Sequence, residues 1–197
     1  MNIVFYTNCQ WRGIKPYLEK VYPEANFCIL ENYEIINEKR KINYEILKKA
    51  DIFIFQHIGK QHGLYSTNKD ISGNILSYLR EECVKISFPY IYNNSFWILI
   101  PPSHGDDFIG EVGNMNKYIN IEPIKNLKKK GVSLADTLKL YKEGKIDFDF
   151  ENRFNKSLEI LKEKEKICDI TVSDFIKENY KKHILFFTYN QTSNFLA

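Results

Sequence analysis

The chain has 197 residues, enough for one domain with a real core and short for two. Hydrophobic residues make up 44% and charged residues 27%, an ordinary balance for a soluble globular protein. A net charge of only +3 argues against a nucleic-acid partner, and no apolar run approaches the roughly 18 residues of a membrane span, although peripheral attachment stays open.

Asn2 to Tyr6 reads as a buried strand, because Ile3, Val4 and Phe5 are apolar without alternation. Thr7 to Gln10 is then a turn. A helix is predicted from about Trp11 to Val21, with Ile14, Leu18 and Val21 on one face; Pro16 fits best in a first turn, which favours a start later than Trp11. Phe27 to Leu30 is a second strand, Tyr44 to Lys49 closes a helix, and Asp51 to Phe55 is a third strand. Ile71 to Arg80 has helical spacing, and Cys83 to Ser87 is a fourth strand.

Residues 88–113 are rich in Pro, Asn, Gly and aromatics with no clean period; so long an irregular segment is expected to belong to an active site. Helices follow at about Ile119 to Lys130, Leu134 to Glu143, Phe148 to Lys166 and Val172 to Tyr180, with Ser133 and Ser173 as N-caps. Ile184 to Phe187 is a last buried strand. The expected organisation is one α/β domain over 1–197, with a helical cap region at 118–180. Its sheet should be mostly parallel, with about four to six strands covered on both sides as a three-layer sandwich.

Such sheets bind ligands beyond the carboxyl ends of their strands. The rule selects four loops: Thr7-Asn8-Cys9-Gln10, Gln56-His57, Phe88-Pro89-Tyr90 and Thr188-Tyr189-Asn190-Gln191. Cys9 stands between a strand and a helix, where a thiolate would be favoured; it reads equally as a small buried hydrophobe at a strand end. His57 is placed to act as a base or ligand contact, or to cap and pack. Asn8, Gln10 and Asn190 carry amides that suit an oxyanion or simply cap loops. Tyr90, Tyr92, Phe96 and Trp97 form a ligand wall or core, and His104 is a candidate lid residue. Lys125, Lys128, Lys129, Lys130, Lys139, Lys142 and Lys145 fall close together, as a solvated helical face or as a patch for phosphates.

The four cysteines, Cys9, Cys28, Cys83 and Cys168, show no CxxC and no Cys/His spacing for zinc, so no metal is expected. The first residues enter a strand directly with no leader, which predicts a cytoplasmic, reducing setting and free thiols. Oligomeric state and acceptor are not legible.

The order strand, Asn8-Cys9-Gln10, helix resembles the WcbI family of polysaccharide (capsule) biosynthesis acetyltransferases. Further similar stretches follow in order: Ala50 to Gln56, Tyr65-Ser66-Thr67, Val84 to Pro89, Cys168 to Ile176, and Leu185 to Asn190. The resemblance covers most of the chain. It implies coenzyme A or acetyl-CoA as ligand and O-acetylation of a surface or capsular sugar, with an acyl donor and a saccharide acceptor as partners. On that reading Cys9 is the nucleophile, His57 the base, and Asn8 and Asn190 the oxyanion donors. Asn8, Gln10, Gln56, Lys128 and Lys129 then belong to the cofactor contacts. The strand-end Cys also resembles the Ser of SGNH-type hydrolases, which implies an SGNH- or flavodoxin-like architecture and an esterase as a second reading. Two departures stand out. The family usually continues Asn-His-Pro where this chain has Asn190-Gln191-Thr192, and it generally extends beyond Ala197 with a terminal helix. The missing His favours a third reading, a non-catalytic coenzyme A or glycan-binding accessory protein.

Overall fold

Ile3, Val4, Phe5 and Tyr6 are all buried in β1 (Asn2–Thr7). A strand points successive side chains to opposite faces, so one that is apolar throughout needs cover on both. The computed structural model describes residues 1–91 and 122–183 and shows that cover. β1 lies between β2 (Asn26–Glu31) and β3 (Ile52–Phe55), and β4 (Val84–Ser87) flanks β3. All three pairings are parallel, with Tyr6 opposite Leu30 and Phe55, and Thr7 opposite Glu31.

On one face Val4, Tyr6, Phe53 and Phe55 pack with Ile35 of α2 (Asn32–Asn37), Leu47 of α3 (Tyr44–Lys48) and Ile75. On the other, Ile3, Phe5 and Ile54 pack with Trp11, Ile14 and Leu18 of α1 (Trp11–Val21). The result is a three-layer α/β arrangement around an all-parallel, four-stranded sheet. Among the described residues Tyr6 is the one polar-tipped ring buried completely, and its hydroxyl donates to the Tyr65 carbonyl at 2.8 Å. Burial, with Tyr65 and Tyr44 nearby, pushes that phenol far above its ordinary pKa.

The described residues form two compact units, 1–91 with 160–183, and 122–159. In the second, α4 (Glu122–Lys129) and α5 (Leu134–Lys142) pack together. Gly131, with φ +78°, closes α4: its own N–H reaches the Lys128 carbonyl, and the Val132 N–H reaches that of Leu127. That is a left-handed C-terminal cap, which glycine adopts without strain. Ser133 caps α5, as expected, by accepting from the Asp136 N–H.

Several boundaries differ from expectation. α1 starts at Trp11 with Pro16 inside it; Arg12 and Pro16 both face water, so solvent satisfies the Arg12 carbonyl that Pro16 cannot bond. No helix spans Ile71 to Arg80. Gly73 takes φ +69°, the Asn74 side chain accepts from Leu76 N–H, and only the 3-10 turn Ile75–Tyr78 forms. α2 was not anticipated. The expected strand at 184–187 lies outside the described residues, and no described helix is long and apolar enough to cross a membrane.

α6 (Phe150–Glu165) ends on a buried carboxylate. Glu165 Oε1 accepts from Val172 N–H at 2.6 Å and Ser173 N–H at 2.9 Å, so it caps α7 (Ser173–Asn179) from another helix. Ser173 is therefore the first helical residue rather than the cap. Between these helices Asp169 grips β4: its Oδ2 accepts from the Ser87 N–H (2.7 Å) and hydroxyl (2.6 Å). The amides of Asp169 and Ile170 return to the Ser87 carbonyl, both at 3.1 Å. The two Ser87 bonds, with His57 and Lys69 nearby, hold the Asp169 carboxyl below its ordinary pKa.

Two outcomes follow for residues 166–172. Glu165→Ala leaves two amides without their carboxylate and should cost about 1–3 kcal/mol, with Glu165→Gln costing less, read from urea midpoints. A carboxyl with a depressed folded pKa stabilises above its unfolded value, near about 3.9, and loses that contribution as pH falls through the folded value. The Tm gap between wild type and Asp169→Asn should therefore be flat from about pH 5 to 7 and shrink below roughly pH 4.

Candidate functional site

In the order β2-β1-β3-β4 the chain steps from β1 outward to β2 and then back past β1 to β3, so the topological switch point, where sheets of this kind bind ligands, lies at the carboxyl ends of β1 and β3. Two predicted loops meet there. Gln56, buried, accepts the Asn8 N–H on its Oε1 at 2.9 Å and donates from Nε2 to Gln10 Oε1 at 2.8 Å. Gln10, also buried, donates from Nε2 to the Ile91 carbonyl at 2.5 Å and accepts the Ile91 N–H at 3.2 Å. The Asn8 side chain accepts the Gln10 N–H at 3.0 Å. Three loop starts are thus locked by side-chain amides that leave their polar atoms paired rather than buried bare. Gln10 and Gln56, expected as ligand contacts, hold the frame of the turn in this arrangement.

Cys9 is the residue this frame presents. The Arg12 N–H bonds the Cys9 carbonyl at 3.1 Å, so the turn passes directly into α1. The thiol is half-buried. Its position at a helix start left a favoured thiolate and a small buried hydrophobe as equal readings. Burial pushes the thiol pKa up, Glu31 adds to the rise, and Arg12 and a backbone hydrogen bond at Cys9 only partly offset it. Helix-start geometry favours negative charge, yet desolvation opposes any charge and here outweighs it.

A cluster that the sequence reading passed over surrounds Cys9. Glu31 ends β2 opposite Thr7, with its side chain only 14% exposed. Its Oε1 accepts from the Trp11 indole N–H at 2.7 Å and pairs with Arg12 at 3.4 Å; its Oε2 accepts from the Tyr33 hydroxyl at 2.8 Å. Burial alone would raise the Glu31 pKa, but the bonds from Trp11 and Tyr33 and the Arg12 charge bring it below the ordinary value. Tyr33 is raised in turn by burial and by the acidic groups about it, Cys9 among them. The strand-end rule, applied to β2 as it was to the other strands, would have found Glu31.

His57 leaves β3 on the same edge, but its imidazole is engaged elsewhere. Nε2 lies 2.7 Å from the Ile167 carbonyl, Nδ1 lies 3.4 Å from Thr67 Oγ1, and the ring sits edge-on to Phe55. Among the described residues no hydrogen bond joins it to Cys9. Phe88 and Pro89 are buried, and Tyr90 lies under the Lys164 ammonium, 5.3 Å from its ring centre. Lys128 and Lys129 end α4 in the other unit, both exposed. Asn190, Gln191, Tyr92, Phe96, Trp97 and His104 lie outside the described residues. Burial raises the thiols of Cys28, Cys83 and Cys168 as well, the last to about 11 with help from Glu165 and Asp169. Among the described residues no three His, Cys, Asp or Glu side chains are grouped to hold a metal ion.

Comparison with known proteins bears on the fold and the family. No curated protein is a significant match. A solved structure of WcbI, described as a novel polysaccharide biosynthesis enzyme, superposes with a TM-score of 0.68 at 18% identity. The match covers 99% of this chain and 65% of that one, so this chain spans just under two thirds of that protein's length. The solved form is described as native, without a disulfide bond between coenzyme A and one of its cysteines. A family model, polysaccharide biosynthesis enzyme WcbI, matches residues 2–197. The chain belongs to the WcbI family.

Proposed function

We propose that the chain binds acetyl-CoA with its thioester at the Cys9 turn and transfers the acetyl group to a hydroxyl of a surface or capsular polysaccharide sugar. The observation that carries this reading is the Gln10–Gln56 frame, which brackets a cysteine at the switch point between the carboxyl ends of β1 and β3. Family membership and the coenzyme A chemistry described for the WcbI structure support it.

In this reading the Cys9 sulfur attacks the thioester carbonyl. An S–C bond to the acetyl group forms, the bond to coenzyme A breaks, and coenzyme A leaves as its thiol with the proton Cys9 gave up. A sugar hydroxyl then attacks acetyl-Cys9 and its proton returns to the sulfur. Because Cys9 rests as a thiol, the first step needs a base. His57 is the base proposed; its Nε2 must exchange the Ile167 carbonyl for the reacting proton. The Asn8 amide is proposed to steady the oxyanion, with Asn190 as a second donor.

Acetyl transfer to a panel of saccharides, followed by thiol release, tests the reading. Cys9→Ala should abolish turnover with coenzyme A affinity nearly unchanged, since a nucleophile acts chiefly in the transition state. His57→Ala should lose about 10²–10⁴-fold in kcat. Gln56→Ala, which unpins the turn, should lower turnover and also stability. Full activity in Cys9→Ala rules out covalent transfer here. Tight coenzyme A binding with no transfer to any acceptor would instead support the accessory role that Gln191 suggested.

A further inference from the structure

The strap of residues 166–172 meets the sheet at the carboxyl ends of β3 and β4. Its main chain first turns back on α6, where the Cys168 N–H reaches the Glu165 carbonyl at 3.0 Å. One residue on, Asp169 closes a ring of bonds on Ser87, the last residue of β4. Its carboxylate takes the Ser87 N–H and hydroxyl, and Ser87 Oγ in turn accepts the Asp169 N–H at 3.0 Å. The Ser87 carbonyl accepts the amides of Asp169 and Ile170. Ile167 stands just ahead of this latch. Its side chain is 65% exposed and does little to hold it, yet its carbonyl lies 2.7 Å from His57 Nε2.

A carbonyl oxygen only accepts, so this bond requires a proton on Nε2. In the neutral ring the lone pair is then on Nδ1, which faces Thr67 Oγ1 at 3.4 Å. That hydroxyl already accepts the Ile58 N–H at 2.9 Å, and the Ile58 carbonyl competes for its proton at the same 3.4 Å. Thr67 therefore holds Nδ1 weakly, and the Ile167 carbonyl decides the state of the ring. We propose that Asp169 is a positioning residue for His57: its latch on Ser87 fixes the Ile167 carbonyl against Nε2 and keeps the resting imidazole in one orientation and in the Nε2–H form. The proposal rests on His57 being the base of the transfer scheme, in which Nε2 must leave this carbonyl; the latch then sets how readily it leaves. Its test needs neither coenzyme A nor turnover. A latch that passes, beside a His57→Ala variant of full activity, would sink the scheme and leave the latch standing.

The test is reaction of the full chain with diethyl pyrocarbonate at fixed pH. It is read by peptide mass as the rate at His57 relative to His62 of the 3-10 segment Lys60–Tyr65. The reagent needs an unprotonated ring nitrogen, and the bond to Ile167 withholds Nε2. Asp169→Ala should raise the ratio about threefold to tenfold, because reaction follows the fraction of time that the bond is open. Ser87→Ala keeps the carboxylate and its field but removes the two bonds made by the hydroxyl, and should raise the ratio at least about twofold. Asp169→Asn, which keeps an acceptor oxygen, should lie between wild type and Asp169→Ala. Glu165→Gln alters the far end of the strap and not the latch, and should leave the ratio as in wild type. Ser87→Ala and Asp169→Asn carry the test if Asp169→Ala does not fold. In nitrogen NMR spectra of the neutral wild-type imidazole, His57 should carry its proton on Nε2. A proton on Nδ1 overturns the proposal, as does a ratio unchanged in both Asp169→Ala and Ser87→Ala. So does a Glu165→Gln ratio as high as that of Asp169→Ala, which would mark a general loosening of the chain.

Discussion

The buried pair of amides, Gln10 and Gln56, is the interaction on which the rest of the site depends. A parallel sheet leaves its strand-end loops with backbone groups that no neighbouring strand pairs. Here one carboxamide takes the Asn8 N–H, and the other spans both polar groups of Ile91 in the manner of a short ladder. Joined by a single bond of 2.8 Å, they link the exits of β1, β3 and the segment after β4. An amide side chain can donate and accept at once, which a carboxylate or an ammonium cannot. The frame therefore needs no buried charge of its own.

Around that frame, charge is arranged asymmetrically. Glu31 and its donors lie toward β2, whereas His57, Thr67 and the carbonyl of Ile167 lie toward β3 and the strap after α6. The imidazole of His57 is bonded to a backbone carbonyl rather than to Cys9.

Much of this was legible in the residues. Unbroken apolar runs in β1 and β3 required two covered faces, and that requirement led to a parallel sheet and to its carboxyl edge. Gln10 and Gln56 could be picked out as strand-end residues, although not as partners, because a pair 46 positions apart has no local signature. The helix expected at Ile71 to Arg80 failed because periodicity was weighed above Gly73-Asn74, which punctuates the segment. The state of Cys9 stayed open between two readings for a different reason. Burial and the approach of Glu31 from β2 are tertiary facts, and sequence position speaks only of the helix that follows.

The strap formed by residues 166–172 bears on how the chain assembles. Ser87 and Asp169 are 82 positions apart, and His57 and Ile167 are 110 apart, whereas β1 needs only residues up to 55 to find both of its neighbours. Loop-closure entropy grows with separation, so pairings between near elements form before far ones. During synthesis the sheet and the Gln10–Gln56 frame can close while residues 160–183 are still to be made. The imidazole of His57 then meets its carbonyl only when the last part of that unit has been delivered. The sulfur is in place early, and its surroundings on the β3 side are completed last.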